Sequence, residues 1–308
     1  MTSTTTRPIA ARRHHREELH ERPRAGGAHA AVMSAAAAVC PALDRIAALA
    51  GTAVRAAGAM LADIRARGDI QVKVRERHDV KLAADVASET CIQELLRAAR
   101  PADGILAEES GAAALERAGV WIIDPLDGTV NYSHGHPHFC VSLAWAWRGV
   151  TQVGVVYDPV RDELFSARRG GGAWLNGAPM HCAPTAALAA AMVAIGLNRF
   201  CVGPAIADEL AVLSDRTQKV RISGAAALDL AYTACGRLDG YFEQRVFVWD
   251  LAAGMLLVDE AGGRSCWWRR PERAHQRACL ASAPALFPPL LALLNLDERN
   301  GARTCFDD

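Results

Sequence analysis

The sequence predicts a mixed α/β (α+β) fold, and three patterns point to it. Two segments with helix-spaced apolar residues come first, on either side of a stretch that alternates like a strand. A series of β-type runs broken by turn residues follows, from Phe139 to Gly177. After about Thr185, strands and helices alternate, which marks a second α/β region.

Residues 1 to about 28 are polar and lack apolar periodicity, so a disordered tail is expected there. Between Arg7 and Arg24 this tail carries six Arg against three Glu. From Pro41 to about Arg67 the apolar residues recur at helical spacing, predicting a long amphipathic helix that stops near Gly68. IQVKVRERHDVKLAAD begins as a strand and turn, and Asp85 to Arg100 reads as a second helix. GILAEES is a short apolar strand, Gly104 to Ala107, running into Glu108 and Glu109. VWIIDPLDGT repeats that design, with a strand from Val120 to Ile123 followed by Asp124 and Asp127.

FCVSLAWAWRG, TQVGVVYDPV and DELFSARRGGGAWLNG predict successive antiparallel strands, with turns at Arg148-Gly149, Asp158-Pro159 and Gly170 to Gly172. Beyond Pro184, AAMVAIGL, KVRISG and LDGYFE read as strands. Pro204 to Ser214, Ala225 to Gly236 and Asp250 to Ala261 read as helices. Asn295 to Asp308 is polar and expected to fray. The expected domains are therefore 29–184 and 185–294, flanked by tails 1–28 and 295–308.

Composition excludes some classes. A chain of 308 residues, 51% hydrophobic and 22% charged with a formal net charge of zero, is ordinary for a soluble globular protein. The balance gives no whole-chain reason to expect a nucleic-acid or membrane partner. Nine scattered cysteines without a CxxC pair fit reduced thiols in a cytoplasmic protein. No stretch reaches the roughly 18 uninterrupted apolar residues of a membrane span. AHAAVMSAAAAVC is separated from Arg12-Arg13 by a segment too long and too acidic for an export signal.

Three apolar strands end in, or lead to, acidic residues: Glu108 and Glu109, Asp124 and Asp127, and Glu243 with Asp250. Each alone reads as a helix cap or charged turn. Brought to one edge they would repel unless cations neutralised them, and ligands made only of oxygen select hard ions such as Mg²⁺. Pro125 stiffens the turn between Asp124 and Asp127, so both carboxylates and the Leu126 carbonyl can face one cation. Gly128 permits close approach of the chain, and Thr129 opens a helical turn whose N–H groups suit a phosphate. Metal, phosphate and a hydroxyl within six residues suggest metal-assisted hydrolysis of a phosphate ester.

DPLDGTVNY, AEES and WDLAAGMLLVDEAGG resemble the three signatures of the inositol monophosphatase family of Mg²⁺-dependent, often Li⁺-sensitive phosphatases. The usual forms are DPxDGTxNF, GEES and WDxAAG near an EAGG. Order and spacing agree from about Pro41 to Leu294; three motifs in register are specific, where DG or WD alone is not. The resemblance implies a layered αβαβα sandwich, as in inositol monophosphatase and fructose-1,6-bisphosphatase, with the site in a cleft between domains.

It further implies that Glu108, Asp124, the Leu126 carbonyl, Asp127 and Asp250 hold two or three Mg²⁺ ions. Asp85 would support Thr129, and Glu108 and Thr129 would orient the attacking water. Substrate contacts would come from Asp127, Gly128, Thr129, Gly224, Ala225, Ala226, Glu243 and Asp250. The implied reaction converts inositol 1-phosphate to inositol and phosphate, in a homodimeric cytoplasmic enzyme. Histidinol phosphate, fructose 1,6-bisphosphate and 3′-phosphoadenosine phosphate stay open as substrates. So does a different class, an interaction protein that uses the fold to bind RNA or transcription machinery. Ala107 replaces the family glycine, Tyr132 the phenylalanine, and Ala225 stands where a threonine is common.

Other signals have plainer readings. HGHPH has zinc-like spacing at His134, His136 and His138, but Gly135 and Pro137 break the strand it would need. Gly170 to Gly172 lacks the Lys-Ser/Thr of a P-loop and is expected to be a hairpin turn. Trp267-Trp268 reads as part of a partly buried hairpin before a base-stacking pair. Arg221 suits a phosphoryl contact, a subunit contact or an inter-strand ion pair.

Overall fold

Helix α1 (Gly26–Ala66) opens the described chain, in a computed structural model that describes residues 26–76, 79–197, 204–270, 274–301 and 305. Most of the expected tail, residues 1–25, lies outside the described residues, whereas Gly26 to Ala28 are already helical. The helix begins earlier than its apolar periodicity because AHAAVMSAAAA is carried by alanine, the strongest helix former, with no pattern to see. The chain divides into two compact units, Met1–Val39 and Cys40–Asp308, and the architecture below is that of the second.

β1 (Val72–Glu76) and β2 (Asp79–Leu82) pair antiparallel and lead into α2 (Ala83–Ala99). An eight-stranded sheet follows: β3 (Gly104–Ala107), β4 (Gly111–Ala113), β5 (Gly119–Asp127), β6 (Cys140–Trp147), β7 (Val150–Asp158), β8 (Glu163–Arg168), β9 (Ala173–Leu175) and β10 (Ala178–Pro179). Its order is β10-β9-β8-β7-β6-β5-β3-β4, with β3 and β5 parallel and the rest antiparallel. The short α3 (Thr129–Ser133) follows β5 directly.

The second sheet holds β11 (Met192–Ile195), β12 (Lys219–Arg221), β13 (Gly240–Phe247), β14 (Arg264–Arg269) and β15 (Gln276–Ser282), in the order β12-β11-β13-β15-β14. Helices α4 (Pro204–Arg216), α5 (Ala226–Ala234), α6 (Val248–Glu260) and α7 (Phe287–Leu293) complete the unit.

The period of two in each central strand sorts side chains between different cores. In β5, Trp121 and Ile123 join α1 and α2 residues such as Leu61, Ile92 and Leu96, while Val120 and Ile122 face a core built on α5 and α6. In the second sheet, Ala194 and Tyr241 share that α5–α6 core, whereas Val193, Ile195 and Phe242 face Leu213 of α4 and Phe287 of α7. Three cores separated by two sheets make five layers, αβαβα. Helix α6 lies in the middle layer, which is why VWDLAAGMLLV is apolar around nearly its whole circumference.

Ala42–Ala66 of α1 is long and apolar enough to cross a membrane. Its Leu43, Ile46, Ala50, Ala53, Val54, Ala57 and Leu61 are instead packed in the core of this unit. The C-terminal segment expected to fray is partly tied down: Cys305 is 1% exposed, and its N–H donates to the Gly149 carbonyl (2.7 Å). Its own carbonyl accepts from buried Arg277 (3.0 Å), which gives that guanidinium a partner away from water.

Candidate active site

β5 is buried along all nine residues and extends through Asp127, four residues beyond its expected end at Ile123. Pro125 has no N–H to give the ladder, and the register with β6 shifts between Asp124, opposite Ser142, and Asp127, opposite Cys140. The bulge turns both carboxylates toward the start of α6. There Asp250 meets them: ligand oxygens of Asp124, Asp127 and Asp250 all lie within 4.8 Å of one another.

Electrostatics mark the cage. Burial pushes the Asp124 carboxyl well above its usual range, and the charges of Glu108, Asp127 and Asp250 push it further in the same direction. One oxygen of Asp124 accepts the Leu126 N–H (3.1 Å), whereas Oδ2 is buried without a hydrogen-bond donor. A dry oxygen facing other carboxylates is costly unless a cation sits among them, so the donor set fits Mg²⁺. Asp127 is raised to about 6, chiefly by burial.

Asp127 is also bound from the other sheet's side. Its oxygens accept the N–H groups of Ala226 (3.1 Å) and Ala227 (2.7 Å), at the start of α5. The carboxylate therefore caps a helix to which it is not joined in sequence, with the dipole favouring the anion. Asp85 and Asp250 cap their own helices: Asp85 accepts from Leu82 N–H (2.6 Å) and Asp250 from Phe247 N–H (2.9 Å). For Asp85 the two readings divide between its oxygens: Oδ2 caps the helix and Oδ1 faces the Thr129 hydroxyl.

Gly128 adopts φ 85°, a left-handed conformation that delivers the chain from β5 into α3. A Cβ there would stand 3.0 Å from the His138 carbonyl and 3.2 Å from the Ala225 side chain, so the turn after Asp127 and the 224–226 segment touch. Asn131 reinforces the junction by donating to the carbonyls of His138 (2.7 Å) and Ser223 (2.8 Å). The Thr129 hydroxyl approaches the Leu126 carbonyl (3.0 Å) more closely than Asp85 Oδ1 (3.5 Å). Tyr132, where phenylalanine is usual, uses its hydroxyl on the Leu61 carbonyl of α1 (2.8 Å).

Glu243 lies on β13, 5% exposed, hydrogen-bonded by the Tyr241 hydroxyl. Gly196 leaves the space that this pair occupies, since any Cβ there would fall on the Glu243 carboxylate.

The secondary signals resolve structurally. His138 is buried and paired with Asp229 (3.1 Å), and His134 bonds the Val130 carbonyl (2.9 Å). Among the described residues the grouping with metal-ligating spacing is the aspartate one. The triglycine turn is an anion nest already filled: Gly170 and Gly172 N–H groups donate to Glu260 (2.8 and 2.9 Å). Trp267 and Trp268 are both buried on β14, so they are core. Arg221 is exposed on β12, its guanidinium at the Val220 carbonyl (3.2 Å).

Sequence reasoning missed Ser88 and Glu89. Ser88 donates to the Pro125 carbonyl (2.7 Å), and Glu89 accepts from Glu109 and Ser110. The available signal was their spacing, three and four residues after Asp85 and so on the same helix face.

Five layers with a carboxylate cage at the tip of a central strand define the class: a hydrolase of the phosphatase type, with oxygen ligands suited to divalent cations. Residues 42–295 match the model of the inositol monophosphatase family, and the chain belongs to that family. It is 47% identical over 184 residues to Nus factor SuhB of Xylella fastidiosa, spanning 59% of this chain and 66% of that protein. It is 42% identical over 218 residues to inositol-1-monophosphatase of Synechocystis, spanning 70% of this chain and 76% of the relative. The crystal structure of extragenic suppressor protein suhB from Bartonella henselae superposes with a TM-score of 0.74 at 34% identity, covering 81% of this chain and 98% of that one.

Proposed function

We propose that this chain hydrolyses the phosphate monoester of a small polyol in the presence of Mg²⁺, with myo-inositol 1-phosphate as its substrate. One observation carries the reading: Asp124, Asp127 and Asp250 converge within 4.8 Å around an Asp124 oxygen that no donor satisfies. Glu108, Asp124, the Leu126 carbonyl, Asp127 and Asp250 would hold two or three Mg²⁺ ions, which when bound supply Lewis acidity and a water of lowered pKa.

The chain's own groups do the rest. Glu108 and Thr129 orient the attacking water, and Asp85 supports the Thr129 hydroxyl from 3.5 Å, beside the nearer Leu126 carbonyl. Gly128 and Thr129 receive the phosphate, while Glu243 and the 224–226 segment receive the polyol. Ala225 offers no hydroxyl there, so selectivity rests on Glu243, an acceptor for a diol. Li⁺ sensitivity, a homodimer, a cytoplasmic location and a domain division near Pro184 belong to the same proposal.

The test is a panel of inositol 1-phosphate, histidinol phosphate, fructose 1,6-bisphosphate and 3′-phosphoadenosine phosphate, with released phosphate measured in Mg²⁺ with and without Li⁺. Inositol 1-phosphate should give the highest kcat/KM, and Li⁺ should suppress it. Absence of release from every ester refutes the reading. A second reading, an interaction role with RNA or transcription machinery, is supported by relatives that bear the name Nus factor SuhB. Measuring both turnover and RNA binding of the full chain separates the two, and repeating both after deletion of residues 1–28 decides whether the tail matters.

A further inference from the structure

Helix α2 offers three polar side chains to the site at helical spacing. Asp85 caps its own helix and stands beside Thr129, Ser88 holds the Pro125 carbonyl, and Glu89 reaches the turn after β3. Glu89 is 4% exposed, and both of its oxygens are engaged. Oε2 accepts the Glu109 N–H (2.9 Å), and Oε1 accepts the Ser110 N–H (3.0 Å) and the Gln93 amide (3.0 Å). Gln93 also donates to the Ser110 hydroxyl (2.8 Å).

Burying a carboxylate is expensive unless charge-assisted hydrogen bonds replace its water, and three N–H donors converging on one group do so. Only an acceptor-only group satisfies all three; a glutamine would turn an NH₂ against one of them. The turn being held carries Glu108, whose own N–H is fixed to the Ile123 carbonyl (3.2 Å). After the turn comes β4, exposed at all three residues. Glu108 repels Asp124, which acts to swing the turn away from the cage.

We infer that Glu89 is a positioning residue: it clamps the 108–110 turn against carboxylate repulsion, so that Glu108 is already in place when a cation arrives. The inference rests on the proposed role of Glu108 as a metal ligand. Glu89 itself is not a ligand, because its oxygens are spent on two backbone N–H groups and the Gln93 amide. Outer partners that orient metal ligands typically change metal affinity by about 10- to 100-fold when altered.

The experiment uses the full chain and calorimetric titration of Mg²⁺ into wild type, Glu89→Gln and Glu94→Gln. Glu94 is exposed on the same helix, so its variant removes the same charge without touching the turn. Circular dichroism and melting of each protein are recorded, as is the substrate KM at saturating Mg²⁺. Glu89→Gln should bind Mg²⁺ about 10- to 100-fold more weakly with the KM unchanged, while Glu94→Gln behaves as wild type.

A folded Glu89→Gln with wild-type Mg²⁺ affinity overturns the inference, even if its melting temperature drops, because a merely structural role predicts that result. If Glu89→Gln does not fold, Glu89→Asp decides. That variant keeps the charge but withdraws the clamp by one methylene, and unchanged Mg²⁺ affinity in it overturns the inference equally. A wild-type chain that binds no Mg²⁺ refutes the underlying metal-site reading as well, whereas binding by wild type and variant alike refutes the clamp alone.

Discussion

Raising the pH should weaken the metal-free protein far more than the Mg²⁺-loaded one, and Asp127 sets the scale. Its carboxyl is raised from 3.8 to about 6, because burial outweighs the Ala227 N–H and the other groups that favour the anion. The folded state thus holds this proton more tightly than the unfolded chain does. The resulting stabilisation is complete below pH 3.8 and is lost as the pH climbs through about 6.

A displacement from 3.8 to about 6 corresponds to about 3 kcal/mol. In a chain of this size that is on the order of 5–10 °C in Tm. Mg²⁺ at a hundred times its Kd contributes ~2.7 kcal/mol in the opposite direction, nearly closing the gap. The assay is thermal unfolding between pH 3.5 and 7.5, in chelator and in Mg²⁺, for wild type and Asp127→Asn. Asp124 shares the cage, so the difference between the two proteins isolates this carboxyl better than either curve alone. A metal-free wild type whose Tm holds level or rises with pH relative to the variant refutes the reasoning.

Other substitutions probe the remaining parts. Asp124→Asn and Asp250→Asn should each abolish phosphate release while circular dichroism stays native, since a neutral amide relieves repulsion in the cage; full activity in either contradicts its role. Thr129→Val should lower kcat by about 10²- to 10⁴-fold, measured at saturating substrate, if its hydroxyl handles the water's proton. Gly196→Ala drives a methyl onto Glu243 and Tyr241, so it should cost about 1–3 kcal/mol in denaturant unfolding and raise the KM for polyol esters above that for a simple aryl phosphate. Trp121→Ala empties a fully buried position and should cost about 3–5 kcal/mol of stability.

The convergence of Asp124 and Asp127 is legible in the sequence because β5 announces itself: an apolar run that ends in two aspartates, with a proline between them that cannot continue a ladder. The strand-and-helix order from Pro184 to Ala261 was equally plain, since turn residues punctuate it, whereas β15 and α7 beyond it went unnamed. What stayed hidden has physical causes. The start of α1 is written in alanine, which favours helix without marking a face. The last three residues of β5 belong to the sheet only through a bulge whose partner, β6, lies beyond an intervening segment. Glu89 looks like any surface glutamate on an amphipathic helix until the 108–110 turn is folded over it. Glu260 likewise reads as a helix-end charge, and nothing local ties it to glycines ninety residues earlier.

That last contact reaches further than its own loop. Helix α6 spans 13 residues, about 20 Å, with Asp250 near one end and Glu260 at the other. Packed along its length and fastened through Glu260 to the glycine hairpin, it behaves as a strut with that hairpin as its far abutment. Core packing along the whole rod keeps Asp250 in register with its neighbours, while the hairpin fastens only the end remote from them.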